Sequence, residues 1–333
     1  MTAAEVSDGE RELLGLTERD AIDSWLDQVL HQLLGVELDD VLFIAGRIDA
    51  VYGVGTGDGR RLLIKVHRQP VDLVGRSLVA EAQKAMAHRG FPCAEPLAGP
   101  VEVDGRVVSI ETLLPEGARG NGHDPQTRAT MATELARHIQ ILAAVPGFAE
   151  RVGEPPAWCV YQRGAWAVTH MTFFDFSTTP PEYAWLQEFA QHAADRIVEL
   201  REPQQLVVAH ADWYAGNLRF DGHQLVAAFD WDLFADTEAI VVGSTAGMFS
   251  AGTAITATPP LPEEVAGFLA DYETAIGRRF TIEERDLAVA GACWSIAYTS
   301  RCDVTIVDGK DPRPGSALDL LATRRPDYLD LDW

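Results

Sequence analysis

His210, Asp212 and Asn217 stand together in Val207-Val208-Ala209-His210-Ala211-Asp212-Trp213-Tyr214-Ala215-Gly216-Asn217, and Asp230 follows thirteen residues later in Phe229-Asp230-Trp231-Asp232. This is the layout of a phosphoryl-transfer loop. A carboxylate that receives a hydroxyl proton must sit beside the metal that holds the phosphates, so one loop supplies Asp212 as base and Asn217 as metal ligand. A short hairpin then brings Asp230 to the same metal. Apolar residues 206–208 lead into the loop and 225–229 return from it, giving the strand-loop-strand frame that such a pair requires. His-x-Asp alone is a common chance match; the four types at this spacing are not.

The roles follow from side-chain chemistry. Asn217 and Asp230 offer the hard oxygen ligands that Mg²⁺ prefers. Asp212 takes the acceptor proton or, in a loose transition state, mainly orients the acceptor. His210 reads as a fastener of the loop through its ring nitrogens rather than a proton carrier. Asp232 is either a further ligand, a support for one, or a solvated loop carboxylate. Trp213 and Tyr214 are expected to narrow the acceptor pocket, and Arg219 to pair with an acid.

Upstream, Lys65 ends the apolar run Leu62-Leu63-Ile64-Lys65-Val66, and Glu81 follows within an apparent helix. A lysine so placed contacts nucleotide phosphates, with a glutamate of the next helix holding it. Gly55, Gly57 and Gly59 around Asp58 read as a hairpin turn rather than a phosphate loop, because Asp-Gly is a turn signal and no Gly-x-Gly-x-x-Gly aligns there. The better phosphate-covering loop is residues 45–50.

These motifs resemble the aminoglycoside phosphotransferase and choline kinase superfamily, the small-molecule relatives of protein kinases. The likeness is strongest over residues 206–243 and weaker over 42–117; Asp230-Trp231-Asp232 stands where protein kinases carry Asp-Phe-Gly. The resemblance implies an α+β, bilobal protein-kinase-like fold, with a small antiparallel-sheet N-lobe and a mainly helical C-lobe. It implies ATP and Mg²⁺ as cofactors, a small-molecule hydroxyl as acceptor, and adenine contacts from the backbone around Glu111 and Leu113. The stretch after Asp232 lacks the Gly-Asp-Pro common in aminoglycoside kinases, a departure that bears on the substrate more than on the reaction.

The remaining chain must position these groups. Residues 10–35 have helical periodicity; 41–45, 50–54 and 61–66 read as strands; 101–114 is a hairpin turning at Asp104-Gly105. Residues 1–114 form the nucleotide lobe with its leading helix, 115–125 the linker, and 126–333 the catalytic and substrate lobe. In the last, 126–145, 181–200, 261–276 and 281–299 are helical, 158–172 is irregular and aromatic with Tyr161, Trp166 and His170, and the tail from Asp303 is rich in Pro, Asp and Arg.

With 50 acidic against 27 basic residues, a net charge of −23 argues against nucleic acid, which requires concentrated Lys and Arg. The same charge suits a cationic small molecule, or simply an acidic soluble surface. No apolar run approaches the roughly 20 residues of a membrane span, and the acidic start lacks a signal core, so the expected place is the cytoplasm with no membrane partner. The four scattered cysteines show neither a zinc pattern nor a disulfide framework. The resemblance and the acidic balance point to a cationic aminoglycoside-type antibiotic as the expected acceptor, with choline, an amino alcohol or a sugar as the alternative; a non-catalytic pseudokinase is opposed by the intact Lys65, Asp212, Asn217 and Asp230. Oligomeric state is not legible.

Overall fold

A computed structural model describes residues 5–46, 48–166, 169, 173–201, 205–250, 258–307 and 311–333. The chain divides into two compact units, Met1–Pro115 and Glu116–Trp333.

The first unit opens with α1 (Asp8–Leu14) and α2 (Arg19–Leu34) where the periodicity of residues 10–35 suggests one helix. Gly15 makes the break: at φ 64° it adopts the left-handed conformation that closes a helix, and its N–H donates to Arg11 O at 2.8 Å. Across the break Glu10 gathers Arg19 Nη1 at 2.9 Å, Tyr52 Oη at 2.9 Å and the Ser7 N–H at 2.9 Å. Burial alone raises this carboxylate, but these donors outweigh it and hold the pKa down at about 2.

Strands β1 (Leu38–Ala45), β2 (Ala50–Thr56) and β3 (Arg61–His67) lead to α3 (Leu73–Ala87), then β4 (Pro96–Val103) and β5 (Arg106–Thr112). They form an antiparallel sheet in the order β1-β2-β3-β5-β4. Because strand side chains alternate, Leu62, Ile64 and Val66 of β3 join Ile22, Leu26 and Val29 of α2 in the core. Lys65 and His67 therefore face the other way. Asp104 and Gly105 both have positive φ, 50° and 74°, as a tight two-residue hairpin demands.

The second unit contains β6 (Ala118–Arg119), α4 (Pro125–Ala143), α5 (Ala184–Leu200), β7 (Leu206–His210), β8 (Leu218–Asp221), β9 (Gln224–Ala228), β10 (Leu233–Thr237), α6 (Glu238–Ala246), α7 (Pro262–Ile276), α8 (Ile282–Val307) and α9 (Ala317–Leu329). Part of the expected linker is ordered pairing, since Ala118 lies opposite Phe220 in a β6-β8-β9 sheet. The helix expected at 281–299 runs on to Val307, and the tail folds into α9, capped by Ser316 Oγ accepting from the Asp319 N–H at 3.3 Å. His170 lies outside the described residues. Among the described residues no helix is long and apolar enough to cross a membrane.

Helix α6, unread in the sequence, is buried along its whole length apart from its first residue, Glu238. It crosses α8 where Gly243 meets the Ala288 backbone, Gly247 meets the Ala292 backbone, and Gly291 lies against the Ile240 carbonyl. A Cβ at Gly243 would overlap that backbone, which cannot move aside as a flexible side chain can. Gly243→Ala is therefore expected to lower stability by about 1–3 kcal/mol. A thermal melt of the variant coinciding with wild type would show that the helices separate without cost.

Candidate active site

Strand β7 ends at His210, and the loop that follows is held from both sides. The Ala211 N–H donates to Asp232 O at 2.8 Å, continuing the β7–β10 pairing in which His210 lies opposite Leu233. The Tyr214 N–H donates to Asp212 O and the Asn217 N–H to Tyr214 O, each at 3.0 Å, so Asp212 to Asn217 is one compact double turn. Hairpin β8–β9 then returns the chain until the Phe229 N–H meets Asn217 O at 3.2 Å. Asp230 is thereby delivered beside Asn217.

His210 joins the two arms. Its Nδ1 accepts from the Asp212 N–H at 3.1 Å, which leaves Nε2 to carry the proton and donate to Phe229 O at 3.1 Å. Burial pushes the ring down to about 4, so it is a neutral fastener. Trp231 lies against it with centroids 4.4 Å apart, and Trp213 stands 6.0 Å away. Behind them the His210 N–H donates to His138 Nε2 at 3.3 Å, while His138 Nδ1 donates to Glu134 O at 3.1 Å. His138, pushed to about 3 by burial, escapes a reading of the sequence because a lone histidine on a helical face carries no motif.

Asn217 Nδ2 donates to Asp212 Oδ2 at 2.9 Å and to Asp212 O at 3.1 Å. Its Oδ1 is thus turned away from the amide's own bonds. Burial first, then the charges of Asp230 and Asp232, push Asp212 up to about 7, against the lowering effect of the Asn217 amide. Asp230 sits at φ 64°, a left-handed conformation that aspartate tolerates better than most residues, with its side chain exposed. Such strain persists where the surroundings enforce it, and here the Phe229 and Ala211–Asp232 bonds do so on either side. Asp232 is half-buried.

Two expectations fail nearby. Trp213 is fully buried, its Nε1 donating to Met131 O at 3.0 Å, so it packs against α4 rather than bordering a pocket. Arg219 donates to the Gly216 and Leu218 carbonyls and lies 4.6 Å over the Phe229 ring, the half-buried site favouring stacking over an acid.

In the first unit, Lys65 Nζ is 2.8 Å from Glu111 Oε1, the partner position that the sequence reading gives to Glu81. Lys65 lies directly opposite Ser109 on β5, so Glu111, two residues on, is its diagonal neighbour on the same face. Helix α3 turns Arg76, Val79, Ala80 and Gln83 toward this face, and Gln83 Nε2 donates to Glu111 Oε2 at 3.4 Å. Glu81, two residues before Gln83, is rotated about 200° from it around the helix. Leu113 spends its N–H on Arg61 O at 3.0 Å, so that donor is not open to an adenine. Of the expected phosphate-covering loop, Arg47 lies outside the described residues.

Oxygen donors suited to Mg²⁺ are present. Among the described residues neither Asp230 oxygen nor Asn217 Oδ1 accepts a hydrogen bond, which leaves hard ligands on adjacent turns. Among the described residues no group of three or more His, Cys, Asp or Glu could hold a metal ion.

Fold and loop together define a protein-kinase-like α+β phosphotransferase. The family model for the phosphotransferase enzyme family, APH, matches residues 40–240, well over half of the chain, and the chain belongs to that family. Among solved structures it is similar to the amicoumacin kinase hAmiN in complex with AMP-PNP, Ca²⁺ and Ami, at 12% identity and TM-score 0.59, covering 93% of this chain and 96% of that one. A thermostable mutant of aminoglycoside phosphotransferase APH(4)-Ia is similar at 14% identity and TM-score 0.55, covering 91% and 96%. Macrolide 2'-phosphotransferase MphH from Brachybacterium faecium is similar at 17% identity and TM-score 0.51, covering 93% and 98%. No curated protein matches in sequence.

The raised Asp212 carries a stability signature. Its folded pKa lies above that of the unfolded chain, so folding favours the protonated form and stability is lost as pH rises from about 4 to about 7. Asp212→Asn removes that cost, and without divalent cation should stabilise the protein by about 2–4 kcal/mol near pH 8 and by less near pH 5. Melts that show no gain at the higher pH would place the carboxylate in ordinary solvent.

Proposed function

We propose that the chain transfers the γ-phosphoryl group of ATP to a hydroxyl of a small molecule. The observation that carries this reading is the Asn217 Nδ2 to Asp212 Oδ2 bond of 2.9 Å, with Asp230 brought to Asn217 by the Phe229 N–H contact. A base and two oxygen ligands on adjoining turns suit phosphoryl transfer, in which little covalent chemistry is asked of the protein beyond positioning and charge.

Asp212 orients the acceptor hydroxyl and receives its proton as the acceptor oxygen bonds to the γ-phosphorus and the bond to the β-phosphate oxygen breaks, releasing ADP. Burial pushes this carboxylate up from its ordinary range, toward one in which it can take a proton near neutral pH. Asn217 Oδ1 and Asp230 would hold Mg²⁺, which when bound supplies charge neutralisation at the phosphate oxygens. Lys65, steadied by Glu111, meets the phosphates as a point charge. Supply of ATP and Mg²⁺ makes the cytoplasm the natural setting.

For the acceptor, the reading favours an antibiotic of cationic, aminoglycoside-like character. The net charge of −23 supports it by drawing cations toward the protein, and the similar solved structures include phosphotransferases named for aminoglycosides and macrolides.

Purified protein screened with ATP and Mg²⁺ against hydroxylated antibiotics and metabolites should phosphorylate at least one; absence of γ-phosphate transfer to any acceptor, or to water, sinks the proposal. On the acceptor found, Asp230→Ala should lose Mg²⁺-dependent turnover while keeping its fold. Asp212→Asn should lower kcat by about 10²–10⁴-fold with little change in ATP affinity. Wild-type turnover in either variant would remove that residue from the chemistry.

A further inference from the structure

On the face of the first unit's sheet opposite the α2 core, three side chains stand in series. His67 Nδ1 is 2.9 Å from Asp49 Oδ2, and His67 Nε2 is 2.9 Å from Ser109 Oγ. The other Asp49 oxygen, Oδ1, accepts from the Arg68 N–H at 3.0 Å, which fixes the carboxylate's orientation. Burial raises Asp49, but the His67 ring and the Arg68 N–H outweigh it and hold the carboxyl below its usual range. A charged carboxylate only accepts, so Nδ1 carries a ring proton toward Asp49, which leaves Nε2 to face the Ser109 hydroxyl. Carboxylate, imidazole and hydroxyl in this order are the parts of an activated nucleophile, recognised by geometry and not by sequence position.

Register explains why the three meet. His67 and Lys65 are alternate residues of β3, and Lys65 lies opposite Ser109, so all three share one face. Ser109 is half-buried and lines a cavity with Lys65, Arg76, Gly99 and Glu111. Two basic side chains, Arg76 and Lys65 with its Glu111 partner, line the same cavity, which suits an electrophile whose oxygens gain negative charge. Phosphotransfer by the second unit's loop uses none of Asp49, His67 and Ser109.

We propose that Ser109 is a base-activated nucleophile for phosphorus electrophiles with a good leaving group, acyl phosphates being the natural class. Ser109 Oγ bonds to phosphorus as its proton passes to His67 Nε2. The bond from phosphorus to the acyl oxygen breaks, and the carboxylate departs with the electron pair. The product is a phosphoserine flanked by Lys65 and Arg76.

The test uses a small alkyl fluorophosphonate, in which fluoride leaves, on the whole wild-type chain with neither nucleotide nor Mg²⁺, followed by peptide mass spectrometry. The expected result is an adduct on Ser109, formed at least about 10²-fold more slowly in His67→Gln. A folded wild-type protein that acquires no adduct at Ser109 overturns the proposal. So does labelling of a folded His67→Gln variant at the wild-type rate. Should that variant not fold, the wild-type adduct decides alone, and because no ATP is present its failure leaves the phosphotransferase reading untouched.

Discussion

Much of the second unit's site depends on one buried imidazole being uncharged. Neutral His210 has one acceptor and one donor, and the fold offers it one donor, the Asp212 N–H, and one acceptor, the Phe229 carbonyl. A protonated ring would present two donors and oppose the Asp212 N–H. Desolvation prevents this, and the desolvation comes from Trp213, Trp231 and the His138 row packed around it. The apolar packing of α4 against β7 thus sets the protonation state that positions both Asp212 and Asp230.

Two carboxylates show how burial is turned to opposite ends. Glu10 is buried, yet it is held ionised by Arg19, Tyr52 and Ser7, and it fastens two helices to a sheet. Asp212 receives far less: one side-chain amide, with two further carboxylates nearby. The first arrangement spends its charge on architecture. The second leaves charge unsatisfied and ready to meet a proton or a cation, which is the usual condition of reactive groups.

The fold class is legible in the sequence because its signals are local: alternating strands, Asp-Gly turns, a loop whose members lie within a few residues of one another. Asp212 and Asn217 meet across five residues, a distance the spacing itself encodes. What escapes is whatever depends on rotation or on distant partners. The choice between Glu81 and Gln83 turns on which way α3 faces, and both are ordinary helix residues. The break at Gly15 is hidden by hydrophobic periodicity on both sides of it. Helix α6 is apolar all round, so it has no period to read, and its glycines matter only because α8 crosses there. The α9 tail looks like a loop by composition and is helical because Leu318 and Leu321 are buried.

The Lys65–Glu111 pair has a consequence for how the lysine is held. Both partners belong to adjacent strands of one hydrogen-bonded sheet, whereas the protein-kinase arrangement draws the glutamate from a helix whose displacement disengages the lysine. Here α3 lends the Gln83 amide to Glu111, at the long end of hydrogen-bond range. That helix is anchored by its own buried residues, Leu78, Ala82, Gln83 and Met86, while the ion pair is set by the pairing of β3 with β5. The register of two strands, rather than the pose of a helix, thus sets the distance between this lysine and its carboxylate.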